Sequence, residues 1–115
     1  MNYAPPEEYI NVAEGLGRVR GNEQIYKVLM NSFLANPQYA QMQAELQSND
    51  AESAAKTAHA IKGIAANLSL PKLYGDIVLL EGQLKGGAFT ADAVADVESS
   101  YAETFAHVQK LIGSM

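Results

Sequence analysis

Apolar residues along the chain recur at spacings of three and four, with no alternating run, so the pattern predicts helices throughout and no strand. A first helix is expected over Pro6 to Arg18, with Tyr9, Ile10, Ala13 and Leu16 on its apolar side. Arg20, Gly21 and Asn22 then form a turn, and the Asn22 side chain can accept a free backbone N–H of the next helix. That helix is expected to turn Ile25, Leu29, Met30 and Phe33 inward. It should bend at Asn36-Pro37, where a residue before proline is driven from helical angles, and continue through Tyr39, Met42 and Leu46 as one bent helix.

Ser48, Asn49 and Asp50 supply the next cap, and the alanine-rich, proline-free run from Ala51 to Leu68 predicts an uninterrupted helix. Pro71 suits the first turn of the helix after it, which presents Leu73, Ile77, Leu80 and Leu84 and stops at Gly86-Gly87. Thr90 caps a last helix with an inward stripe of Val94, Val97, Tyr101, Phe105, Val108 and Ile112. The expected fold is all-α: an antiparallel up-and-down four-helix bundle with an additional short N-terminal helix, residues 1–115 forming one domain.

Successive helical residues turn by about 100°, which sorts the helix around His59 into faces. Ala54, Thr57, Ala58, Ile61, Ile64, Ala65 and Leu68 share the arc opposite His59 and should face the core. Glu52, Ala55, Lys56, Lys62, Gly63 and Ala66 share the arc of His59. His59 is thus expected to point outward among small residues, with a lysine one turn to either side. Lys62 can neutralise an anion held on the imidazole. Gly63 costs its helix about 1 kcal/mol relative to alanine and leaves a gap for close approach of a partner.

Composition narrows the chemistry. At 115 residues, 48% of them hydrophobic, the chain suffices for one core and leaves no room for a separate nucleotide-binding domain. The absence of cysteine removes disulfides, thiolate metal sites and thiol nucleophiles, and fits a cytoplasmic protein. Met1 to Tyr9 does not read as a secretory signal, and no apolar run is long enough to span a membrane. A net charge of −5 argues against nucleic acid as a partner. From Ala51 to Leu73 the balance is nonetheless +2, leaving −7 on the remainder, so the His59 helix is a basic island suited to an anionic partner.

A neutral imidazole attacks phosphorus without a strong base, and phosphoryl transfer then needs mainly in-line positioning and charge neutralisation. Glu52 shares the His59 face, but the two make at most an incomplete, exposed pair of metal ligands. Gly15, Gly17 and Gly21 lack the spacing of a nucleotide loop. His107 has no lysine or glycine arranged around it and reads as structural. Gln83 and Lys85 could reach the neighbourhood of His59 if their helix packs beside the His59 helix, but read better as ordinary surface residues.

His59-Ala60-Ile61-Lys62-Gly63 matches a His-x-x-Lys-Gly core, preceded by Ala58 and followed by Ile64-Ala65-Ala66-Asn67-Leu68. With Gly15-Leu16, Arg18, Gly21-Asn22, Tyr26, Leu29, Phe33 and Leu80-Glu81, the chain resembles the histidine-containing phosphotransfer domains of bacterial phosphorelays over nearly its whole length. The resemblance implies a carrier with no kinase activity of its own, whose His59 takes a phosphoryl group from a receiver-domain phosphoaspartate and passes it to another. It implies Lys62 and Gly63 as functional neighbours, Ala55, Lys56, Ala66 and Asn67 as partner-binding positions, and response-regulator receivers and a hybrid sensor histidine kinase as partners. No cofactor is expected on this chain, and Mg²⁺ is expected on the receiver. Ser69 departs from the glycine usual after the leucine, which puts the geometry of that turn in question. The motif also fits the phosphoacceptor piece of a chemotaxis-type histidine kinase, although the N-terminal resemblance favours the relay form, and the helices alone fit an adaptor with an idle His59. The initial methionine and complete set of helices fit a free-standing protein, and the lack of an obvious second exposed apolar stripe fits a monomer.

Overall fold

A computed structural model describes all 115 residues. The chain forms six helices and no strand: α1 (Val12–Arg18), α2 (Glu23–Ala35), α3 (Gln38–Gln47), α4 (Ala51–Asn67), α5 (Pro71–Lys85) and α6 (Ala91–Gly113). None is long and apolar enough to cross a membrane. Four begin on a side-chain cap: Asn11, Asn22, Asp50 and Thr90 accept the backbone N–H of Glu14, Ile25, Ser53 and Ala93. α5 opens on Pro71, whose missing N–H leaves nothing unsatisfied in a first turn.

Two boundaries differ from the expected ones. Pro6 to Tyr9 make only a turn, in which the Tyr9 and Ile10 N–H groups both donate to the Pro6 carbonyl, and the helix starts after the Asn11 cap. The expected single bent helix is instead two, α2 and α3. Asn36 lies before Pro37 and takes extended angles (φ −71°, ψ 125°), and its side chain accepts the Gln38 N–H at 2.8 Å, so the chain stops and restarts.

One core runs through the molecule, which measures 42 × 20 × 20 Å. α4 packs between α3 and α5, α5 also packs on α6, α6 on α2, and α1 on α2. On α2 the buried stripe is Tyr26, Met30 and Phe33, while Ile25 and Leu29 are 48% and 38% exposed. Their expected inward placement fails because the large Tyr26 ring occupies the inward position, in space that Gly15 of α1 leaves open. Ile25, Val28 and Leu29 therefore form an exposed apolar ridge, contrary to the expectation that no such stripe exists. On α6 the buried centre is Val97, Ser100, Thr104, Val108 and Leu111. Tyr101 and Phe105 lie half-buried on its flank, where Tyr101 stacks on Tyr39 at 3.8 Å between ring centroids and Phe105 meets Phe33.

The turn between α4 and α5 fixes how these two helices meet. Ser69 there adopts φ +58°, a left-handed conformation that favours glycine. The buried Ser69 hydroxyl compensates: it donates to Glu14 Oε1 at 2.8 Å and accepts from Arg18 Nε at 3.3 Å, tying the turn to α1. The same two partners, Ser69 and then Arg18, hold the Glu14 carboxyl below its usual range.

A Cβ on Gly15 would lie 2.7 Å from Tyr26 Cε1. Gly15→Ala should therefore destabilise the protein by about 1–3 kcal/mol in urea unfolding, although alanine is the better helix former. Equal or greater stability would show that the Tyr26 ring moves freely.

Candidate functional site

The faces of α4 follow the sequence pattern. Ala54, Thr57, Ala58, Ile61, Ala65 and Leu68 are buried and Ile64 is half-buried, while the His59 side chain is 68% exposed. What periodicity does not reveal comes from α5. Glu81 is buried, its side chain only 4% exposed, and one of its oxygens lies 2.8 Å from His59 Nδ1. The other accepts from Lys62 Nζ at 2.6 Å. Lys85 Nζ, one turn along α5, stands 3.7 Å from the oxygen that meets His59.

This arrangement decides which imidazole nitrogen carries the proton and which the lone pair. Burial raises the Glu81 carboxyl, but hydrogen bonds from Lys62 and His59 and the charges of Lys62 and Lys85 outweigh it and hold the group below its usual range. An ionised carboxylate only accepts hydrogen bonds, so Nδ1 must be the donor. The lone pair of the neutral ring then sits on Nε2, in a side chain that is largely exposed. The result is an exposed imidazole on α4 whose ring is held through Nδ1 by a buried carboxylate.

The other expected site residues fall on either side of His59 along α4. Toward the N-terminus, Ala55 and Lys56 join Glu52, Glu81, Leu84, Lys85 and Gly87 around an open hollow of about 520 Å³ that His59 also lines. Lys56 is exposed, with its Nζ 3.9 Å from Glu52. Toward the C-terminus lie Lys62, Gly63, Ala66 and Asn67. Gly63 is exposed, and a Cβ built on it would meet nothing within 4 Å. Ala66 is half-buried, and Asn67 is exposed at the last position of α4. No group of three or more histidine, aspartate or glutamate side chains is placed to hold a metal ion.

Sequence reasoning missed Glu81 as a site residue and read Lys85 as ordinary surface. A signal for Glu81 was present: it follows Ile77 by four and precedes Leu84 by three, an inward position where an acid requires a partner. Gln83 takes no part in the site; its Oε1 accepts from the Thr90 backbone N–H and hydroxyl at the start of α6. His107 lies elsewhere, its Nδ1 bonded to the Tyr3 hydroxyl and its ring stacked on Tyr9, where it fastens the N-terminal segment to α6.

Because the folded-state value of Glu81 is depressed, its contribution to stability is present above the ordinary carboxyl value of 4.5 and is lost as pH falls through the lower folded value. Thermal midpoints measured across that acid range should fall more steeply for the wild type than for Glu81→Gln. Parallel curves would mean that the ion pairs contribute nothing. Protein-family models, curated proteins and solved structures give no match to this chain.

Proposed function

We propose that this chain is a histidine phosphotransfer protein that receives a phosphoryl group on His59 Nε2 from a receiver-domain phosphoaspartate and delivers it to another receiver aspartate. The observation that carries the proposal is the exposed imidazole whose Nδ1 is held by the buried Glu81 carboxylate. The His59-x-x-Lys62-Gly63 pattern, which resembles that family, supports it. In this reading α2 with α3, α4, α5 and α6 are the four arms of an antiparallel up-and-down bundle, and α1 is the additional N-terminal helix. The protein works in the cytoplasm, and a hybrid sensor histidine kinase feeds the relay.

The transfer balances within these groups. The Nε2 lone pair attacks phosphorus in line, the N–P bond forms, and the P–O bond to the donor aspartate breaks with its electron pair leaving on the carboxylate. Nε2 carries no proton to lose. Nδ1 keeps its own, so the phosphorylated ring is positively charged, and the Glu81 carboxylate lies against that charge. Mg²⁺ belongs to the receiver, where it neutralises the phosphoryl oxygens. Transfer to the second receiver is the same step reversed, and the positive ring is a good leaving group. The open surface at Gly63 admits the receiver backbone close to Nε2.

A phosphorylated receiver should transfer radiolabel to the wild type as an acid-labile, base-stable adduct, and His59→Gln should take up none. Undiminished labelling of that variant contradicts the site. Labelling by a kinase core with ATP, and by no phosphorylated receiver, would instead favour the chemotaxis-type phosphoacceptor. Gly63→Leu tests the landing surface separately. Its stability should equal or exceed that of the wild type, because leucine is the better helix former and the space is open. Its transfer rate should fall on the order of tenfold or more, through misplacement of the receiver. Transfer at the wild-type rate would exclude close approach at this position.

A further inference from the structure

The phosphoryl group adds roughly −1.5 to −2 charge beside His59, and three lysines stand near enough to answer it. Their surroundings differ. Lys62 is the most enclosed, its side chain 26% exposed, and its ammonium lies 2.6 Å from a carboxylate that is itself almost fully buried. Moving Lys62 to a phosphoryl group would strip Glu81 of its shortest bond in a place where water cannot replace it. Lys62 also lies outside the hollow. Lys56 lines the hollow, but its charge is offset by Glu52.

Lys85 shares the exposure of Lys56 but has no acid of its own. Its side chain is 63% exposed and it lines the hollow together with His59. Its nearest anion, 3.7 Å away, is the Glu81 oxygen already engaged by His59 at 2.8 Å, so Lys85 makes no hydrogen bond there. Glu52 answers Lys56, but the single Glu81 carboxylate is shared by Lys62 at 2.6 Å and Lys85 at 3.7 Å, so the cluster carries one positive charge in excess and Lys85 is the more loosely held of the two lysines on Glu81. Its flexible stem lets the ammonium swing without breaking a buried contact.

We propose that Lys85 is the residue that contacts the phosphoryl group on His59, and that Lys62 is a positioning residue that keeps Glu81 ionised and in place. The proposal rests on the phosphotransfer reading above. It reverses the role that the His-x-x-Lys pattern suggests for Lys62.

The test loads wild type, Lys85→Gln, Lys85→Arg and Lys62→Gln with phosphoramidate, a small donor that bypasses receiver docking, and follows each by ³¹P NMR and urea unfolding. Lys85→Gln should load on the order of five- to tenfold more slowly, the effect of removing one unit charge a few ångströms from the phosphoryl group in a hydrated site. The titration midpoint of its phosphoryl group should move upward, and its unfolding curve should stay closer to that of the wild type than the Lys62→Gln curve does. Lys85→Arg should restore both loading and midpoint. Lys62→Gln should lose stability and shift the midpoint less. A Lys85→Gln protein with wild-type loading and midpoint overturns the assignment, as does a larger midpoint shift in a fully stable Lys62→Gln. If the wild type accepts no phosphoryl group from phosphoramidate or from any phosphorylated receiver, the phosphotransfer reading itself falls; a labelled wild type with an indifferent Lys85→Gln removes only the role of Lys85.

Discussion

A carboxylate buried between two helices is the constraint on which the site depends. Glu81 has almost no contact with solvent, and an isolated charge so placed is untenable, so the fold must bring cations and hydrogen-bond donors to it. Lys62 and the His59 ring come from α4, and Lys85 from α5 itself. Because the carboxylate stays ionised, it accepts from the imidazole and leaves Nε2 as the unprotonated ring nitrogen. One buried group thus joins α4 to α5, orients the ring and decides which nitrogen carries the lone pair.

Packing makes that contact possible. Ala54, Ala58 and Ala65 are fully buried on the inner face of α4, and such short side chains let neighbouring helices approach closely. On one side the Thr57 hydroxyl donates to Glu45 of α3 at 2.7 Å. On the other, Ser69 closes the α4–α5 turn in a left-handed conformation and ties it to α1 through Glu14 and Arg18. Ser69 therefore holds a backbone conformation that favours glycine while adding an anchor. The strain of the positive φ is met by hydrogen bonds that glycine lacks.

The outward placement of His59 and the buried arc behind it were legible because a helix repeats by a fixed angle, and six of the seven expected core positions on α4 are buried. The caps at Asn22, Asp50 and Thr90 were legible for an equally local reason. Glu81 was not, because its partners depend on the register between two helices, which no single-helix period encodes. Ile25 and Leu29 failed through competition: Tyr26 buries a larger ring, and a clearance at Gly15 in another helix decides the rotation of α2. The break at Asn36 turned on a side chain that captures the Gln38 N–H, a local bond that the proline alone did not specify.

Imidazole ¹⁵N NMR of His59 tests the central claim most directly, at a pH where the ring is neutral and with no partner or phosphodonor present. The account predicts the tautomer with the proton on Nδ1 and the lone pair on Nε2, imposed by the Glu81 carboxylate. A dominant Nε2–H tautomer would contradict it, because the exposed nitrogen would then hold no lone pair for phosphorus.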